Sequence, residues 1–175
     1  MIKKSINQSV LASFLSLFLL LSGCASVNLD SHVAQTPNEA LGLAAGEDNP
    51  ATAQQYLLRI ARGFQDQGRH EDARTILQSA QLDQPAPGLE PEKRLLAMTS
   101  ALALEDSSWA RDITTGLAPE AFMDHSPEQI GTAAGLQSRT FELAGNRAGA
   151  AMTLMLLAQT DPDADVQQLH DRIWQ

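Results

Sequence analysis

From Asn49 onward apolar residues return at helical spacing, and no run shows the two-residue alternation of a half-buried strand. Asn49-Pro50 joins a capping residue to a first-turn proline, which predicts a helix to about Gln67 with Leu57, Ile60, Ala61 and Phe64 on one face. Gly68-Arg69-His70 reads as a short turn. A second helix is predicted over Glu71 to Gln81, carrying Ala73, Ile76, Leu77 and Ala80. Two prolines and a glycine in Asp83-Gln84-Pro85-Ala86-Pro87-Gly88 then break it. Helices follow at about Pro91 to Leu104 and Ser107 to Leu117. Ser126-Pro127-Glu128-Gln129 has the form of a capping box and opens a fifth, ending near Gly145. A sixth spans about Arg147 to Thr160, Asp161-Pro162 stops it, and Asp163 to Gln175 begins a seventh. The pattern predicts an all-α chain of antiparallel helix pairs.

The apolar and small residues of these helices also repeat. Counted from Leu57, the residues Ile60, Ala61, Phe64, Gly68, Ala73, Leu77, Ala80 and Pro85 fall at gaps of 3, 4, 7, 11, 16, 20, 23 and 28. That is the spacing of a tetratricopeptide unit. The last pair repeats its second half with Phe141, Gly145, Ala150, Leu154, Leu157 and Pro162, and both Gly68 to Gly145 and Pro85 to Pro162 are 77 residues apart. A middle pair keeps the register through Ala101, Glu105, Ala110, Thr114 and Leu117 without glycine in its turn. Glycine permits the tight turn, alanine marks where the second helix presses closest on the first, and proline ends the unit. The expected fold is a tetratricopeptide-like array of antiparallel pairs forming a short right-handed solenoid.

The first 23 residues belong to a different pattern. Lys3 and Lys4 give a positive start, Val10 to Leu21 is apolar apart from Ser13 and Ser16, and Leu21-Ser22-Gly23-Cys24 follows. Small residues before a cut site mark a secretory signal, and Leu-Ser-Gly-Cys has the form of a lipobox, in which the cysteine is acylated. The apolar run is 12 residues, short of the ~20 that span a bilayer as a helix. Cys24 is the only cysteine, so no intramolecular disulfide is possible. Ala25 follows it, where an aspartate would resemble an inner-membrane retention signal. These residues predict a lipoprotein held at the periplasmic face of the outer membrane by lipid on Cys24. The expected organisation is a signal peptide over 1–23, a lipidated tether over 24–48 and a helical-repeat domain over 49–175. Thr36-Pro37-Asn38-Glu39 predicts one short helix within the tether, to about Gly46.

Without the leader the chain keeps 10 basic and 21 acidic residues, a net charge of −11. Such a surface repels nucleic acid and anionic lipid. His32, His70, His125 and His170 lie in four separate segments with no second ligand at metal-site spacing. There is no Gly-x-Ser-x-Gly and no glycine-rich phosphate loop. Glu105-Asp106 and Asp161, Asp163 and Asp165 fall at helix boundaries, where acidic residues cap. The expectation is a binding protein without metal or cofactor, not an enzyme.

Tyr56-Leu57-Leu58-Arg59-Ile60-Ala61 through Gly68-Arg69-His70-Glu71-Asp72-Ala73, Glu92 to Ala97, Leu154 to Gln159 and Asp171-Arg172-Ile173-Trp174-Gln175 resemble the amino-terminal domain of the LpoA (LppC) lipoproteins. That family activates a class A penicillin-binding protein, a peptidoglycan synthase, from the outer membrane. The resemblance spans essentially the whole mature chain, lipobox included. Family members continue into a large α/β domain that is implied to contact the synthase, so no partner-contact residue carries over to this sequence. The resemblance implies a lipid-anchored protein-binding module serving cell-wall synthesis, with a synthase or another envelope protein as client. The alternative is an adaptor for outer-membrane β-barrel assembly or pilus biogenesis.

Overall fold

Asn49 and Pro50 start the longest of the described helices as their chemistry dictates: the Asn49 side chain accepts from the backbone N–H of Ala51 at 3.0 Å. The computed structural model describes residue 29 and residues 32–160. Among these there are seven α-helices, two 3₁₀ turns and no strand. The helices are α1 (Pro37–Ala45), α2 (Pro50–Asp66), α3 (His70–Leu77), α4 (Glu90–Ala103), α5 (Ser107–Thr114), α6 (Ile130–Leu143) and α7 (Arg147–Thr160). The signal, Cys24 and the helix expected from Asp163 lie outside the described residues.

Three helix pairs, α2/α3, α4/α5 and α6/α7, follow one another along the chain. Each first helix packs on its own partner and on the first helix of the next pair, and α3 and α5 pack on α4 and α6. Among the described residues no sustained packing joins the first pair to the third. The contact order is therefore that of stacked layers, each touching its neighbour.

The turn inside each pair is the same turn. Gly68 has φ 72°, Glu105 has φ 52° and Gly145 has φ 82°. The next residue in each case donates its N–H to the carbonyl five residues back: Arg69 to Phe64 at 2.8 Å, Asp106 to Ala101 at 3.0 Å, and Asn146 to Phe141 at 2.8 Å. This is the left-handed closure of a helix C-terminus that satisfies its last carbonyls. Five residues after each hinge stands an alanine with no exposed surface: Ala73, Ala110 and Ala150. The middle pair, which lacks glycine in its turn, makes the turn nonetheless by forcing Glu105 into a conformation that costs an L-residue about 1–2 kcal/mol.

Three element ends differ from expectation, and one of them is that of the helix expected to Leu117, which stops at Thr114. The helix predicted to Gln81 ends at Leu77, and a 3₁₀ turn over Ala80–Leu82 follows. Ala80, expected to pack, is exposed, and Leu82 is fully buried in its stead. The cause is Gln54, a buried side chain of α2. Its amide donates to the carbonyls of Gln81 at 2.9 Å and Gln84 at 3.0 Å and accepts from the Ala86 N–H at 2.7 Å. Those bonds replace the helical ones the chain gives up there. The capping box expected at Ser126 does not form either. Ser126 Oγ bonds the side chains of Glu128 and Gln129, and the helix opens at Ile130.

The folded body also begins earlier than residue 49. Thr36 caps α1 by accepting from Glu39 N–H at 3.2 Å. Leu29, Ala34, Ala40 and Ala44 are buried in one cluster with Leu57, Phe64 and Ile76. A second cluster gathers Phe122, Ala133, Ala134 and Leu157 under the third pair.

Glu105→Gly is expected to relieve the left-handed strain and raise stability by about 0.5–1 kcal/mol, after the entropy gained by the unfolded chain is subtracted. Gly68→Ala is expected to lower it by about 1 kcal/mol. Chemical denaturation of the protein checks both. Ala73→Trp should overfill the contact of α2 with α3 and cost about 1–3 kcal/mol or more; a neutral result would place Ala73 at the surface.

Candidate functional site

The residues singled out by spacing sit inside the pairs rather than on a ligand-facing surface. Leu57, Ala61 and Phe64 of α2 meet Ala73 and Leu77 of α3, and all five are buried. Phe141, Ala150, Leu154 and Leu157 are buried likewise in α6 and α7. Gly68 and Gly145 are the exposed hinges. Ala80 departs from the expected packing. Together they form the frame that positions the outer side chains.

A concavity among the described residues lies where the first pair meets the second. A cleft of about 510 Å³ runs between the end of α3, the start of α4 and the length of α5. Leu77, Ala97, Trp109, Ile113 and Leu117 supply apolar lining, with Asp83, Glu90, Asp112 and Lys93 around them. None of these four charged side chains forms an ion pair among the described residues. Arg94 lines the cleft as well, and apolar walls under a rim of mixed charge suit an extended peptide with apolar and charged side chains.

One wall of this cleft is held by a small charged network. Asp106 caps α5 by accepting from Trp109 N–H at 2.9 Å and takes the Arg74 guanidinium at 2.8 Å. Arg74 in turn lies 5.3 Å from the centre of the Trp109 ring. Trp109, only 5% exposed, is thereby fixed from the first pair. The Trp109 N–H, and after it the Arg74 charge, hold the Asp106 carboxyl below the usual aspartate range.

A second, polar hollow lies by the first helices. Arg62 of α2 pairs with Glu92 of α4 at 2.9 Å, and Arg94 of α4 reaches Asp124 at 3.5 Å. His125 follows Asp124 in the chain and lines the hollow, and burial, then the Arg94 charge, push its pKa down. Gln137 of α6, 1% exposed, donates to the Pro119 carbonyl at 2.7 Å and to Thr153 Oγ1 at 3.1 Å. It fixes the segment leading into the third pair as Gln54 fixes the one leading into the second. The spacing pattern missed both glutamines; their signal was a polar residue set into a helix's apolar face.

Among the described residues, no group of three His, Cys, Asp or Glu could hold a metal ion. No helix among them is long and apolar enough to cross a membrane. No family model, no curated protein and no solved structure matches the chain.

Asp106→Asn keeps a cap but loses the charge facing Arg74. A carboxyl whose folded pKa is depressed stabilises above its unfolded value, about 3.9, and loses that contribution as pH falls through the folded value. The variant is therefore expected to melt below the wild type at neutral pH, with the gap closing as acid protonates Asp106. Thermal melts across pH 2–7 check this, and a gap that persists in acid would remove the charge from the account.

Proposed function

We propose that this protein is a lipid-anchored, protein-binding helical array of tetratricopeptide type, a short right-handed solenoid held at the periplasmic face of the outer membrane. The observation that carries the architecture is the turn made three times with the same left-handed hinge and the same fully buried alanine five residues on. Stacked pairs of this kind present clefts between layers, and peptide capture in such clefts needs no catalytic group. The lipobox ending in Cys24 supports the anchor.

The client we propose is the periplasmic part of a peptidoglycan synthase of the class A penicillin-binding type. The support is the resemblance of the helical segments and lipobox to the amino-terminal domain of the activator lipoproteins. An acidic array with no metal cluster among the described residues fits a docking role.

Cys24→Ser is expected to leave the protein unprocessed or move it to the soluble fraction; unchanged partitioning would refute lipidation. A photo-crosslinker placed at Asp112, on the rim of the cleft, is expected to trap a class A synthase in intact envelopes. Adducts with barrel-assembly or pilus proteins, and none with a synthase, would transfer the module to those pathways.

A further inference from the structure

The segment between the acylated cysteine and α1 is expected to be a tether, yet its described residues, Leu29 and 32–36, are fastened to the domain. Leu29 is 5% exposed and Ala34 is 3% exposed, both within the main cluster. Arg59 of α2 donates to the backbone carbonyls of Leu29 and His32. Arg69, just past the hinge, donates to the carbonyl of Gln35 at 3.0 Å. Glu39 completes the fastening from α1: it accepts from Gln35 N–H at 2.7 Å and bonds His32 Nε2 at 3.1 Å. A segment with buried side chains and carbonyls taken by two guanidiniums is part of the fold.

We propose that Leu29 and residues 32–36 form a mooring strap that holds the first-pair end of the array against the phospholipid surface. The proposal rests on acylation of Cys24. Leu29 is five residues beyond Cys24, and five residues reach at most about 17 Å in any conformation. A leash freed as far as Asn49 would reach about 85 Å. The strap thus decides whether the domain roams the periplasm or lies at the bilayer. The end it ties down also has the features to lie there. Val33 is 61% exposed, and beside it Arg59 has no carboxylate partner among the described residues. In a mature chain of net charge −11, which anionic lipid repels as a whole, an exposed valine beside an unpaired arginine is the combination that a headgroup layer accepts. The cleft between the first and second pairs would then stay close to the membrane, within reach of a client's membrane-proximal part.

The test uses the full acylated lipoprotein in vesicles of phosphatidylethanolamine and phosphatidylglycerol. Because acylation consumes Cys24, Asn38→Cys or Met155→Cys supplies the only thiol for a donor dye, and acceptor lipids report distance. Transfer from position 38 is expected to exceed that from 155 severalfold. A Gly/Ser insert of about 20 residues after Ala25, adding roughly 25 Å of mean reach, is expected to abolish the difference without touching the fold. Arg59→Ala, checked for retained helicity, is expected to weaken it. Acylated protein with equal, low transfer from both positions, unchanged by the insert, overturns the mooring alone. Absence of the acyl mass overturns it together with the lipoprotein reading.

Discussion

Two helices can lie close enough to share a dry interface only where neither carries a bulky side chain at the crossing, and this constraint recurs through the molecule. Ala73, Ala110 and Ala150 occupy the crossing in the three pairs, each without exposed surface. Because the crossing is tight, the turn before it must reverse within a few residues, which forces the left-handed conformation at Gly68, Glu105 and Gly145. Glu105 measures the strength of the demand. The middle pair accepts strained backbone there rather than a longer turn, since a longer turn would lift Ala110 away from α4.

Between the pairs the chain uses polar chemistry. Gln54 and Gln137 are buried side chains that take up the backbone groups of the connecting segments. Each bond adds only about 0.5–1.5 kcal/mol, but leaving those buried groups unpaired would cost more. The glutamines therefore set where a helix stops. Proline was expected to end α3; in the structure the helix has ended well before Pro85, because Leu82 is drawn into the core and Gln54 satisfies the carbonyls left behind.

The same division separates frame from surface. The repeat residues are consumed in packing, and the side chains free to recognise a partner are those the repeat does not specify: Asp83, Glu90 and Asp112 on the cleft rim and His125 in the polar hollow. Trp109 belongs to both. It is buried by α5 packing, lines the cleft, and is fixed by an arginine from the preceding pair. The cleft's shape therefore depends on the stacking of one layer on the next, so that loss of the interface and loss of the site are coupled.

What the sequence determined by itself was local and periodic. The all-helical class, the pairing, the hinges at Gly68 and Gly145 and the buried alanines follow from spacing, since helix period, glycine's access to positive φ and the size of a methyl group are properties of short stretches. The caps at Thr36, Asn49 and Asp106 were legible for the same reason. Only the tertiary structure decided that Glu105 would take the glycine conformation, that Ala80 would face water and that Leu29 and Ala34 would join the core. It alone assembled the cleft as well, from three helices that no sequence window contains. Three of those outcomes depend on a partner 27 or more residues away: Arg59 for the strap, Gln54 for the turn after α3, Arg74 for Trp109. A pattern along one helix records which face is buried, but it does not record which distant donor will meet the carbonyl that the helix leaves open.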